Sequence, residues 1–266
     1  MVGRILPFSV AVVLSVLYLQ IAQVMVSLLS SPTETGYFGV SFRVLASFTI
    51  LPPLLVSSAL PLLARAARDD SERFNYASRK LVETMVLAGC GLALALFLGA
   101  AFAIDVVGGS GFEHSVEVLR ILAVALLGTF VISARGYALL SLDRLRAILV
   151  CSAIALTVVL ACGVPLISAY GAKGAAIALV AAELTLGLSY EWALAHKRPE
   201  LRLDLGFVLR AAAATLLAGA AASVLALPSA AAAAVGLALY VAALLAMGII
   251  PVEVREALLK RRRPAA

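Results

Sequence analysis

The sequence predicts an all-α integral membrane protein, a bundle of about eight transmembrane helices. Three observations carry that expectation. The first is a ladder of apolar segments at 5–30, 36–63, 81–104, 117–140, 147–169, 171–195, 206–227 and 230–250. Each reaches or exceeds the ~20 residues a helix needs to cross a hydrocarbon core of ~30 Å. The second is composition: 63 % of 266 residues are hydrophobic and only 14 % are charged, whereas about a quarter of a soluble domain is charged. Two linked globular domains are thereby excluded. The third is the placement of the basic residues. Alternate loops collect Arg4, then Arg65, Arg68, Arg73, Arg79 and Lys80, then Arg144 and Arg146, then Lys197, Arg198, Arg202 and Arg210, and finally Arg255 and Lys260 to Arg263; the opposite loops hold only Lys173. This is the positive-inside pattern, and it puts both termini in the cytoplasm and the chain in the cytoplasmic (inner) membrane.

The elements follow in order. The first span is too long for the apolar core of a cleavable signal peptide. It carries Tyr18, Gln20 and Gln23, polar groups that need partners or a protected cavity within a bilayer. The second span contains Pro52, Pro53 and Pro61 and is expected to kink, because proline removes backbone donors. The charged connector ARAARDDSERFNYASRK reads as helical continuation and loop. Beyond the third span lies the glycine-rich loop DVVGGSGFEHSVE, and the fourth span runs to the turn SLDRLRA. Spans five and six form a hairpin through YGAKG. HKRPELRLD marks the one internal boundary, dividing residues 1–196 (six spans) from 197–266 (two more spans and a basic tail). The last two spans are alanine-rich, which allows close backbone approach between helices in lipid.

Several function classes fall away. The net charge of +6 sits in short loops beside helix ends, where topology and anionic lipid account for it, so no nucleic-acid partner is expected. The C-terminal REALLKRRR stretch reads as a topology anchor and a contact for anionic lipid. Cys90, Cys151 and Cys162 lie inside spans without paired spacing and read as inert buried thiols. Asp105, Glu113, His114 and Glu117 match no metal-ligand spacing. No nucleophile–base constellation or phosphate-cradling loop is present; no enzyme, cofactor or metal is expected.

Charges within the spans are more informative. An ionisable residue at the bilayer centre costs ~2.5–3.5 kcal/mol on insertion scales and therefore tends to face a cavity or a partner. Glu183 lies near the middle of the sixth span, Arg43 inside the second, and Arg135 near an end of the fourth. These three are the candidate substrate-binding residues; Arg120 and Glu83 lie close to the interfaces. An ion pair between Glu183 and one of the arginines is expected.

The run YLQIAQVMVSLLSSPTETGYFGVSFRVLASFTILPPLLVSSALPLLAR resembles the seventh and eighth helices of the polysaccharide and lipid-linked-oligosaccharide flippases, relatives of the lipid II flippase and of the multidrug-and-toxin extruders. The turn SLDRLRA and the junction YGAKGAAIALVAAE add to the resemblance, which covers about residues 5–195. It implies the C-terminal six-helix lobe of a two-lobe transporter, followed by two extra helices. It also implies a cavity-wall arginine at Arg43, upstream of the Leu60-Pro61-Leu62-Leu63-Ala64 segment. Ala46 stands where lipid II flippases have an acidic residue, and Tyr18-Leu19-Gln20-Ile21-Ala22 lacks the charges many relatives carry in the seventh helix. The implied substrate is a polyprenyl-diphosphate-linked oligosaccharide, moved across the membrane for cell-envelope polysaccharide synthesis. Its anionic diphosphate suits a guanidinium.

The resemblance begins at the seventh helix, which leaves three readings: a piece of a longer protein, a half-transporter that pairs with a partner chain or a second copy, or an inactive product. Two other functions compete. A small-molecule extruder coupled to a proton or sodium gradient would depend on Glu183, and a non-transporting membrane scaffold would depend on the 65–80 connector or the basic tail.

Overall fold

The structure, a computed structural model, describes residues 2–249 apart from Ser58 and Lys197; the side chains of residues 2–12, 15, 16 and 19 are not described. The expected basic residues Lys197, Arg255 and Lys260 to Arg263, and the side chain of Arg4, lie outside that description. The described chain is helical and multi-pass. Its elements are α1 (Val2–Leu29), α2 (Pro32–Thr49), α3 (Leu51–Ser57), α4 (Leu60–Asp69), α5 (Ser71–Leu98), α6 (Ala100–Gly108), α7 (Ser115–Ser141), α8 (Leu145–Ala195), a 3-10 turn (Pro199–Leu201), α9 (Leu205–Val224) and α10 (Ser229–Ala246).

Local chemistry explains where the helices start and stop. The Ser31 hydroxyl accepts a hydrogen bond from the Glu34 backbone N–H and Pro32 opens the first turn of α2, so a free donor is capped and the ring's fixed φ is used. Asp70 caps α5 by accepting from the Arg73 N–H, and Asp204 caps α9 by accepting from Gly206 and Phe207. The expected break in the second span is present: α2 ends at Thr49 and the short α3 contains Pro52 and Pro53. The SLDRLRA turn is a Schellman stop. Asp143 takes φ 56°, the Asp143 N–H donates to the Leu140 carbonyl, and the Arg144 N–H donates to the Leu139 carbonyl.

The hairpin between spans five and six is a sharp break inside α8. Gly171 has φ 56° and ψ −129°, dividing the helix into arms at 145–170 and 172–195. An unbroken helix of 51 residues would run ~75 Å at 1.5 Å per residue, far beyond a bilayer, whereas each arm is ~35–40 Å long. Gly174 is required for another reason, since a Cβ there would overlap the Leu166 carbonyl. The YGAKG motif thus supplies two glycines for two separate constraints. One boundary differs from expectation: the third span begins at Ser71, ten residues early, because capping by Asp70 draws the connector into the helix.

α7 is the central helix, packed against α5, α8 and α2, while α1 lies along α8. The two ends of the bundle have different chemistry. At one end the Arg144 Nη1 donates to the Ala193 carbonyl, Arg79 bridges Glu83 and Asp204, and Arg198 sits over the Phe74 ring. At the other end Lys173 pairs with Glu117, the Ala172 N–H donates to Glu34 at 2.7 Å, and Tyr37 stacks on His114. The basic loops therefore gather at one end of the bundle, as the alternating sequence pattern requires.

Candidate functional site

Glu183 lies on the second arm of α8 and is only 1 % exposed. Its neighbours come from three other elements. The Tyr18 hydroxyl of α1 donates to Glu183 Oε1 at 2.8 Å. On α7, Gly128 leaves room for the carboxyl, because a Cβ there would stand 3.2 Å from Glu183 Oε2. Oε2 itself has no hydrogen-bond partner among the described residues. Beside the carboxyl is a cavity of about 110 Å³, bounded by Gln20 of α1, Phe42, Ala46 and Thr49 of α2, and Thr129 of α7. That space is large enough for several waters, with Gln20, Thr49, Thr129 and Glu183 as its polar lining among apolar side chains. The carboxyl is anchored through Oε1, while Oε2 is buried against Gly128 with no hydrogen-bond partner among the described residues, which leaves it able to hold a proton.

Arg43 adjoins Phe42 in α2 but does not itself line this cavity. It follows Phe42 and precedes Ala46 by one turn on α2, and its side chain is exposed rather than tucked into the bundle. It forms no ion pair among the described residues. Gln20 on α1, which lines the cavity, is exposed as well.

Arg135 is placed differently. It is 2 % exposed, and its Nη2 lies 2.7 Å from Glu191 Oε2. Glu191 Oε1 accepts from the Leu203 N–H at 2.7 Å, tying α7, α8 and the segment leading into α9 together. The expected pairing of Glu183 with an arginine is therefore not what the structure contains. Glu183 is bonded to Tyr18, and Arg135 takes Glu191. The reason is depth. Arg135 lies six residues before the end of α7 and Glu191 four before the end of α8, so their levels match, while Glu183 is two turns farther in. Glu191 was missing from the sequence-based candidates. Comparing distances from the same end of the bundle would have found it.

The site residues expected from the sequence are thus divided among three places: a buried carboxyl beside a cavity, an exposed arginine on the adjoining face, and a structural ion pair near the basic end. Among the described residues no group of three His, Cys, Asp or Glu side chains is positioned to hold a metal ion.

No family model matches this sequence, and no curated protein matches it. The fold does have a solved counterpart. The lipid II flippase MurJ, in its inward closed conformation, superposes with a TM-score of 0.75 at 14 % sequence identity. The match covers 88 % of this chain and 51 % of MurJ, so the chain spans about half the length of that protein and shares the fold of that half.

Proposed function

We propose that this chain is one half of a transporter that flips a polyprenyl-diphosphate-linked oligosaccharide across the cytoplasmic membrane, with its termini in the cytoplasm. Residues 1–196 form the flippase-like lobe and 197–266 add two helices and a basic tail. The observation that carries this reading is Arg43: a cation at membrane depth, exposed on the bundle's outer face and unpaired among the described residues. Facing lipid, such a residue is costly. Against a water-filled cavity closed by a second lobe, whether from the same polypeptide, a partner chain or a second copy, it can bind diphosphate oxygens through paired charge-assisted bonds. The fold shared with half of a lipid II flippase supports the same reading.

The test uses the assembly as extracted from its own membrane, placed in liposomes containing a polyprenyl-diphosphate oligosaccharide. An external glycosidase reports how fast headgroups reach the outer leaflet. Arg43→Ala is expected to slow that rate about tenfold or more, the scale of one lost hydrogen bond to a charged group, while Arg43→Lys retains part of it. Unchanged flipping by Arg43→Ala would remove the main support for this function. Glu183 favours a second reading, an extruder driven by a proton or sodium gradient, because a buried carboxyl without a counter-charge among the described residues lines a cavity. Under that reading Glu183→Gln abolishes gradient-driven efflux and Arg43→Ala has little effect.

A further inference from the structure

On the far side of α7 from Glu183 lies a larger space of about 580 Å³, bounded by α5, α7 and α9. It exists because α9 packs against α10 and α5 but stands off from α7. Small residues on α9 leave the gap unfilled, and at Gly219 a Cβ would come within 3.1 Å of Leu94, which forms the floor. The walls are dry. The Thr215 hydroxyl donates to the Ala211 carbonyl and the Ser223 hydroxyl to the Ala220 carbonyl, so both protons are used within α9, and the rest of the lining is apolar. Phe97, Val124 and Leu216, exposed by 44 %, 50 % and 73 %, form a rim open to the bilayer.

One cation stands at the mouth. Arg120 lies one turn before Val124 on α7, at the end of the bundle away from the basic loops, with its guanidinium 5.6 Å from the centre of the Phe97 ring. It is exposed and forms no ion pair among the described residues, since the nearby Glu117 is taken by Lys173. A dry groove ending at an exposed positive charge matches an amphiphile with an anionic head.

We infer that this groove is a binding site for one anionic phospholipid, with its acyl chains between α5, α7 and α9 and its phosphate on Arg120. Charge argues against an apolar partner helix, which would bring no anion to the guanidinium of Arg120. Position argues against the hydrocarbon tail of a transported sugar lipid. Ala123, Val124 and Leu127 line the groove while Ala125 and Thr129 line the Glu183 cavity, so α7 separates the two. The inference needs only that the chain spans a membrane and does not depend on the transport reading.

The test is native mass spectrometry of the full chain, stripped of lipid in detergent and reloaded with phosphatidylglycerol or phosphatidylcholine. Wild type is expected to retain one phosphatidylglycerol per chain, with about fivefold preference over phosphatidylcholine, the scale of one basic residue near a lipid surface. Ala220→Trp, which fills the groove from an exposed position on α9, should lose the bound lipid. Arg120→Gln should bring the preference to about onefold while still retaining lipid. Leu188→Phe, on a lipid-facing surface elsewhere, should behave as wild type. The inference is overturned if wild type retains no lipid, if Ala220→Trp retains it undiminished, or if the preference survives Arg120→Gln. It is also overturned if the molecule carried from the native membrane and crosslinked at Ala220 is a polyprenyl lipid. Should Ala220→Trp fail to fold, the Arg120→Gln preference decides alone.

Discussion

Glu183 and Glu191 stand two turns apart on the same arm of α8, and the fold treats them in opposite ways. Glu191 has a counter-charge and a backbone donor: Oε2 lies 2.7 Å from Arg135 Nη2, an ion pair out of hydrogen-bond alignment, and Oε1 accepts the Leu203 N–H. Glu183 is more deeply buried and has no counter-charge among the described residues: Oε1 accepts from the Tyr18 hydroxyl, and Oε2 has no hydrogen-bond partner there. A carboxylate used for stability is expected to look like Glu191, since leaving a buried polar group unmade is costly. Glu183 retains that cost, and stability gives no reason to keep it. The contrast makes Glu191 a structural residue and Glu183 a candidate for function.

The strongest way to break the contrast is at the pair itself. Glu191→Ala strands the buried Arg135 guanidinium, whose Nε and Nη1 already lack partners. The expected loss is ~3–5 kcal/mol, the range for removing one member of a buried pair. Chemical unfolding in lipid nanodiscs measures it. Arg135→Ala should cost less, because Glu191 keeps its bond to Leu203 and its side chain is 24 % exposed. Combining Arg135→Met with Glu191→Leu should recover most of the loss, since replacing both partners with apolar residues is often neutral. Wild-type stability in Glu191→Ala would mean that the two glutamates do not differ in kind.

Next in size is Tyr18→Phe, which deletes the 2.8 Å hydrogen bond to Glu183 Oε1. A destabilisation of about 1–3 kcal/mol is expected from stranding a buried acceptor. It should disappear when Glu183→Leu is added, which a double-mutant cycle reads directly.

These residues also show how far the sequence could be read. The spans, the kink at Pro52 and Pro53, the break at YGAKG and the gathering of basic loops at one end all follow from local rules: apolar length, proline's missing donor, glycine's access to positive φ and charge alternation. Tyr18 was legible as a polar group needing a partner in lipid, though not which partner. Pairing was the hidden part. It depends on which helices are neighbours and at what depth, and neither is encoded in any single window. Glu183 and Arg135 looked complementary as the two buried charges, yet their levels differ by about two turns. The groove between α7 and α9 was equally hidden, because it arises from one helix standing off from another.

A smaller effect on stability, with a larger one on function, is expected from Glu183→Gln. The amide oxygen can still accept from Tyr18, so stability should remain within ~1 kcal/mol of wild type. Any step that needs a titratable or charged group at this position should fail. Parallel unfolding and flipping assays separate the two outcomes. Equal flipping by wild type and Glu183→Gln would leave the open oxygen without a role.

Gly128→Ala is the mildest change and the most discriminating. The added Cβ would sit 3.2 Å from Glu183 Oε2 and 3.3 Å from Glu183 Cβ, close enough to displace the carboxyl by a few tenths of an ångström. Alanine also favours the helix by ~1 kcal/mol over glycine, so crowding and propensity oppose each other and net stability should change by only a few tenths. If Glu183 is merely tolerated, the variant should flip substrate as well as wild type. If the position of Oε2 relative to the cavity matters, flipping should drop severalfold with the unfolding midpoint unmoved. Gly136→Ala provides the control, because its Cβ would meet only the Tyr190 ring, at 3.3 Å, one level away from the carboxyl. Crowding of the α7–α8 contact is then similar in both variants, and a deficit confined to Gly128→Ala traces to Glu183 itself.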